Sequence, residues 1–391
     1  MNPHKVDTVI VGGGQAGLAM SFYLRRDGRE HVVLERAPAV GNAWRNQRWD
    51  SFTLVTPNFQ ARMPGAEYQG NDPYGFMLLA DVVKYFDDYV ERFDLPVHCN
   101  VEVHTAEQTQ EGYLVGTSEG TYEAENVVIA TGLYQSPKIP KVSEGIPVRI
   151  LQIHSMEYKN PSSLPAGAVL VVGTGQSGAQ IAEELYQSGR KVYLSVGSGL
   201  RVPRRYRGKD INDWFTRMGL FDTKVEELKS PRDKFAYHPQ ISGKNGGHSL
   251  NLHQFYRDGV VLLGHVRDAR DGKLIFARDL YETLAKIDQF EAASQESSSV
   301  SVKMPLISPR TLQPVSQNAL GGSYLVSLSV ISCKSHSLLW HARTPGWLAA
   351  ARGDHVSTDH RESGMQGPKF IDRNAHRIAA VGHDIGQPAW L

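Results

Sequence analysis

Two cysteines in 391 residues, Cys99 and Cys333, stand too far apart to suggest a disulfide framework, and no Cys-x-x-Cys pair occurs. That scarcity excludes the usual redox dithiol and leaves two reduced thiols, as expected of a protein in a reducing cytoplasm. Charge of one sign is also lacking. Lys and Arg number 42 against 41 Asp and Glu, a formal net charge of +1, so no global field draws in nucleic acid or an anionic membrane. No apolar run reaches the roughly 18–20 residues of a membrane span. The start, MNPHKVD, leads directly into a strand-like stretch and leaves no room for a signal peptide. No Ser-His-Asp or metal-ligand pattern stands out, and His248 and His253 are five apart, which fits no common metal spacing on a helix. What remains is ordinary globular composition, 41% hydrophobic and 21% charged, in a chain long enough for two or three domains.

Glycine is plentiful, and its placement carries the information. The β-rich run Thr8-Val9-Ile10-Val11 leads into Gly12, Gly14 and Gly17, with Gln15 and Ala16 opening a helix-like pattern. In such a turn the first glycine permits the tight bend and the second lets backbone approach a pyrophosphate. The third lets helix and strand pack closely, and the helix N-terminus offers N–H donors to the anion. A second strand, His31-Val32-Val33-Leu34, ends at Glu35, 18 residues beyond Gly17. That is close to the spacing at which a carboxylate accepts hydrogen bonds from a free ribose 2′-OH. After a hairpin-like stretch at 113–123, the run VVIATG brings Thr131 and Gly132 to the edge of the same site.

The pattern then repeats. AVLVV at 168–172 precedes Gly173, Gly175, Gln176, Ser177 and Gly178, and Lys191-Val192-Tyr193-Leu194 ends at Ser195, 17 residues after Gly178. Ser195 thus stands where the first unit has Glu35. A carboxylate repels a 2′-phosphate and a hydroxyl tolerates one. The following RVPRRYRGKD holds Arg201, Arg204, Arg205 and Arg207, and arginine grips phosphate in a bidentate fork. Spacing does not decide which arginine makes the contact, and a solvated basic loop is the plainer alternative. One site for a free ribose and one for a phosphorylated ribose together suit FAD and NADPH, whose joint chemistry is hydride transfer from nicotinamide to flavin. The expected fold is α/β, with two Rossmann-like dinucleotide-binding domains. An FAD domain spans 1–150, an inserted NADPH domain 160–296, and an anomalous segment 297–391.

These stretches resemble the class B flavin-dependent monooxygenases: GGGQAGLA (12–19), GNAWR (41–45), RWDSFTLVTPN (48–58), VVIATG (127–132), HSMEY (154–158), VVGTGQSGAQIAEEL (171–185) and the arginine-rich run through 211. The resemblance covers roughly residues 5–296. It implies that Gly12, Gly14, Gln15, Ala16, Gly17 and Glu35 hold the ADP half of FAD, with Trp44 and Arg45 along the flavin and its phosphates. It places the NADPH pyrophosphate on Gly173, Gly175, Gln176, Ser177 and Gly178, beside the Ser195, Arg201 and Arg204 that the residues themselves offer to a 2′-phosphate. His154, Ser155 and Tyr158 match the second half of the family's linker fingerprint, whereas Val148 and Ile150 occupy its Phe and Gly positions. His154 is read as a linker residue with no part in proton transfer. Asn58 either turns an amide toward the flavin or caps a turn after Pro57. The resemblance also implies an activity. NADPH reduces FAD, and a C4a-peroxyflavin formed with O₂ oxygenates a small organic substrate in a site that excludes water. Nucleic acid and membrane are not expected partners. A disulfide reductase shares the two-nucleotide plan but needs a dithiol against the flavin, and a degenerate flavoprotein without turnover is the third reading.

From Ser297 the text changes. The segment is Ser-, Pro- and Gln-rich, lacks periodicity, and six of the fifteen histidines fall after residue 330. The family's closing Ala-Thr-Gly-Tyr is missing, although 324–331 reads as a strand. Either the tail is divergent with its own packing, or the reading frame is lost near residue 297. The other two frames of the encoding DNA distinguish these readings.

Overall fold

The computed structural model describes residues 3–132, 136–197, 199–227, 230 and 240–297, with strands at 324–327 and 377–380. The chain divides into two compact units. One comprises Met1–Asn42, Tyr85–Leu133 and His341–His383; the other comprises Ala43–Lys84, Tyr134–Trp340 and Asp384–Leu391.

In the first unit, strand β1 (His4–Val11) runs into helix α1 (Gln15–Arg26) and strand β2 (His31–Glu35). Strands β3 (Val97–Cys99), β4 (Val103–Gln108), β5 (Tyr113–Thr117) and β6 (Gly120–Ile129) complete a sheet of order β3-β2-β1-β6-β5-β4. The central pairs are parallel, with Val9 opposite Val32 and Val127, whereas β4, β5 and β6 form an antiparallel meander. Side chains alternate across a strand, so consecutive apolar residues fill both faces. Val9, Val32, Leu34, Val115 and Val127 pack on one side; Ile10, Val33 and Val128 pack on the other with Ala16 and Leu24 of α1. This two-sided burial explains why β1, β2 and the end of β6 read as continuous apolar runs. Fully burying each such side chain contributes roughly 1.5–3 kcal/mol.

The second unit repeats the motif with β7 (Ala168–Val172), α2 (Gln176–Gln187) and β8 (Val192–Ser195). Strand β9 (Val261–Leu263) joins one edge, helix α3 (Leu280–Ser297) follows, and β10 (Tyr324–Ser327) joins the other edge. The four strands are parallel in the order β9-β8-β7-β10. Val169 and Val171 are fully buried, as are Ala179, Ile181, Ala182 and Leu185 of α2. The strand expected at 324–331 is thus present over its first four residues. The last strand, β11 (Arg377–Ala380), runs parallel to β6 in the first sheet, Ile378 opposite Val127.

Residues 43–84 cluster with the second unit, which differs from a single first domain over 1–150. The local reason lies in hydrogen bonding. Leu54 N–H donates to Met77 O and Leu79 N–H to Phe52 O, closing the segment on itself. Tyr158 Oη and Ser51 Oγ both donate to the carboxylate of Glu184 in α2, and Asp50 N–H donates to Lys159 O. The short helix Asn42–Asn46 therefore leads out of the first unit's residues and into the second's.

Candidate functional site: two glycine turns

At the end of β1 the three glycines divide their work as the sequence predicts. Gly12 has φ +110°, and a Cβ there would lie 2.6 Å from Ala130 O at the end of β6. A Cβ on Gly17 would lie 2.0 Å from Gly12 O, so only glycine lets α1 settle onto the turn. A Cβ on Gly14, the helix N-cap, would meet nothing within 4 Å, and the helix has no side-chain cap. The outer face of Gly14 is open to a ligand at the positive end of a 12-residue helix.

Glu35, buried at the end of β2, faces this turn. Gly13 N–H donates to its Oε2 at 2.7 Å and Ala37 N–H to its Oε1 at 2.8 Å. A carboxylate offers about four acceptor positions, so two remain for hydroxyl donors. Beside it Gln15 is 2% exposed, and neither amide atom finds a partner among the described residues. Burying an unpaired amide costs about 1–3 kcal/mol, which a hydrogen-bonding ligand would recover. The turn therefore fits a dinucleotide in two independent ways. Ala16 is buried in the core beneath it, and Thr131 and Gly132 follow β6, Gly132 with φ +77°.

The second turn reproduces the first in outline. Gly173 has φ +98°, a Cβ on Gly178 would lie 2.2 Å from Gly173 O, and the N-cap Gly175 again has no side-chain cap. Gln176 and Ser177 open α2, both half-buried. Thr174 is held on both sides. Gly197 N–H donates to its Oγ1 at 3.0 Å, and Nε2 of the fully buried Gln240 donates to its carbonyl at 2.6 Å. Gln240 went unnoticed in the sequence because its contact with the turn spans 66 residues.

Beyond β8 the two modules part. Ser195 Oγ donates to Gly264 O at 2.8 Å and accepts Val266 N–H at 3.2 Å, tying β8 to the segment after β9. Arg201 is 5% exposed; Nε donates to Glu291 and Nη2 to Asp288 of α3, each at 2.6 Å, and Nη1 to Asn251 Oδ1 at 3.3 Å. Arg204 is 2% exposed; Nη1 donates to Val55 O at 2.6 Å, and Nε lies 2.8 Å from Asp210 Oδ2. Its guanidinium sits 4.2 Å over the Phe76 ring. Burial lowers the Arg204 pKa to about 10, against the opposing pull of Asp210, which leaves it charged at neutral pH.

Other expected residues have local roles. Trp44 packs 5.7 Å from the Phe52 ring, with the Arg48 guanidinium 4.8 Å over it, and Arg45 lies in the same short helix. Asn58 follows Pro57 at the start of a 3₁₀ turn that has no side-chain cap, and its Nδ2 donates to Asp72 O, 14 residues on. His154 Nδ1 accepts Met156 N–H at 3.3 Å, closing its own turn. His248 and His253 meet separate carboxylates, Glu183 at 2.7 Å and Asp288 at 3.0 Å. Cys99 forms no disulfide among the described residues, and Cys333 lies outside them.

The sequence profile of the pyridine nucleotide-disulphide oxidoreductase family matches residues 9–207, both glycine turns and what lies between. The chain belongs to this family. Within the family's reach are an uncharacterized CzcO-like oxidoreductase of Geobacillus kaustophilus (strain HTA426), 41% identical over 223 residues, covering 57% of this chain and 63% of that protein. A probable indole-3-pyruvate monooxygenase of Arabidopsis thaliana is 28% identical over 213 residues, 51% of this chain and 48% of that protein. The match thus spans less than two thirds of either relative's length. Among solved structures, a mutant flavin monooxygenase from Stenotrophomonas maltophilia shares the fold, with TM-score 0.55 at 23% identity over 70% of this chain and 74% of that one. Among the described residues no helix is long and apolar enough to cross a membrane.

Proposed function

We propose that this family member is an FAD-dependent monooxygenase that draws hydride from NADPH and places one oxygen atom of O₂ on a small organic substrate. The observation that carries the reading is the pair of glycine turns, each closed by a glycine whose Cβ would strike the turn, in a chain with no Cys-x-x-Cys. FAD, when bound, supplies the redox and oxygen-activating chemistry. The backbone of Gly12–Gly17 holds its pyrophosphate at the N-terminus of α1, Glu35 takes the ribose hydroxyls, and Gln15 donates its buried amide. Thr131 and Gly132, which follow β6, would help to hold the FAD at the first turn. The second turn, Gly173 to Gly178, holds the nicotinamide dinucleotide at the N-terminus of α2. The chain's contribution is binding, orientation and exclusion of water.

The relative named as an indole-3-pyruvate monooxygenase supports an oxygenating activity. The family's description favours a second reading, disulfide reduction. That reading needs a dithiol beside the flavin, and Cys99 and Cys333 form no such motif. Purified protein distinguishes them. A yellow flavin spectrum, NADPH oxidation that requires O₂, and stimulation by candidate substrates with oxygenated product support monooxygenation. O₂-independent reduction of a disulfide supports the second reading. A colourless protein that cannot be reconstituted with FAD defeats both.

A further inference from the structure

The residues around β8 fit a pyrophosphate at the turn, but not a 2′-phosphate at the strand end. Among the described residues, Ser195, Arg201 and Arg204 are each engaged within the protein. Ser195 has donated its hydroxyl proton to Gly264 O and accepts Val266 N–H. The Thr174 hydroxyl donates to Gly197 O at 3.2 Å and accepts Gly197 N–H. Arg201 directs its guanidinium to Asp288, Glu291 and Asn251; Arg204 donates to Val55 O through Nη1 and pairs with Asp210, while its buried Nη2 has no hydrogen-bond partner among the described residues.

The segment that receives Ser195 is no more cationic. His265 and Arg267 both face Asp279, at 2.8 and 3.6 Å, and Asp279 Oδ1 accepts His265 N–H. Releasing Arg201 or Arg204 toward a ligand would strand carboxylates, one of them, Asp210, fully buried, and that outweighs a new phosphate contact. Arg205 and Arg207 are exposed; Arg205 donates to Gly246 O and Arg207 lies over the Tyr206 ring.

We infer that the described residues of the second module include no built recognition for the 2′-phosphate and that the module accepts NADH about as well as NADPH. The inference rests on the proposed dinucleotide role of that turn and sharpens its coenzyme choice. Selection by a dedicated arginine is worth roughly tenfold or more in affinity.

The test is a pair of equilibrium titrations of the full-length protein with NADPH and NADH, followed by nicotinamide fluorescence in buffer of physiological ionic strength. Competition by 2′,5′-ADP and by 5′-ADP reports the phosphate separately. The inference expects the two dissociation constants within tenfold, or NADH the tighter, and the two ADP compounds equivalent on the same scale. NADPH tighter by more than tenfold overturns it while leaving the dinucleotide reading intact. Binding of neither coenzyme to folded protein overturns both. The double variant Arg205→Gln/Arg207→Gln, at exposed positions, is expected to leave the NADPH-to-NADH ratio within about twofold of the parent; loss of NADPH binding alone would overturn the inference.

Discussion

The two glycine turns share their length, their left-handed first glycine and their pinched third glycine, yet their strand ends are built differently. At the first, Glu35 turns its carboxylate inward and holds the turn through Gly13 N–H. At the second, Ser195 turns away and ties β8 to the segment after β9, so that the turn is held instead by Gln240 and Gly197 acting on Thr174. One turn is thus braced by a carboxyl side chain, the other by an amide side chain and a backbone N–H. The backbone cradle is the same in both turns, and the braces differ.

The sharpest way to break the comparison is to remove the third glycine from each module. Gly17→Val and Gly178→Val place a branched side chain where even a Cβ comes within 2.0 and 2.2 Å of a backbone carbonyl, at a cost of roughly 3 kcal/mol each or more. Gly17→Val is expected to yield protein without bound flavin. Gly178→Val is expected to keep flavin absorbance and lose the response to nicotinamide dinucleotide. Flavin loss in both variants would show that the modules are not separable as described.

A second effect belongs to the second unit alone. Arg204→Met leaves Asp210, 2% exposed, as a buried carboxylate without its cation, an expected loss of about 3–5 kcal/mol in thermal or denaturant unfolding. Adding Asp210→Asn, which keeps the oxygen that accepts Asn212 N–H, is expected to recover most of it. Arg201→Met is expected to cost less, about 1–2 kcal/mol, because side chains of Asp288 and Glu291 remain 35% and 21% exposed to water. Equal losses at the two arginines would contradict this ranking.

The strand ends themselves give the next effect. Glu35→Gln keeps one acceptor but loses the charge that holds Gly13 and Ala37 N–H. It should cost roughly 1–2 kcal/mol and weaken flavin retention about tenfold. Ser195→Ala should cost about 1 kcal/mol of stability and leave flavin content unchanged. Flavin content after dialysis, set beside the melting temperature, separates the two.

Much of this was legible in the sequence because the turns are local. Strand, glycines, helix and acid fall within about thirty residues, and their spacing alone locates Gly12, Gly17, Glu35, Gly173 and Gly178. The helices and hairpin followed for the same reason. Long-range partners were not legible: Ser195 meets Gly264 across 69 residues and Arg201 meets Glu291 across 90. An arginine-rich run looks the same in sequence whether its guanidinium groups face phosphate or are neutralised by carboxylates of a later helix. The affiliation of 43–84 was hidden likewise, since it depends on Tyr158 and Ser51 converging on Glu184.

The smallest expected effect contrasts the two helices of the turns. In α2, Glu183 is 4% exposed and holds His248 Nε2 at 2.7 Å, and that hydrogen bond raises the His248 pKa above its ordinary value of 6.5, against the opposing effect of burial. In the first unit, His31 Nε2 lies 2.8 Å from Ser21 Oγ of α1, and burial lowers the His31 pKa below the same value. The signs are opposite. A raised folded-state pKa gives His248 a stabilising contribution that is complete below about pH 6.5 and fades as pH rises through the folded value. A lowered one makes His31 stabilising above about pH 6.5, with the contribution lost as pH falls through its folded value. His248→Gln is therefore expected to lower stability at pH 6 more than at pH 8, and His31→Gln more at pH 8 than at pH 6. Melting temperatures of the two variants across that range check the signs. His248 is partly exposed, so its share is the smaller and shrinks with added salt. A His31 variant with the same pH trend as His248 would remove the contrast between α1 and α2.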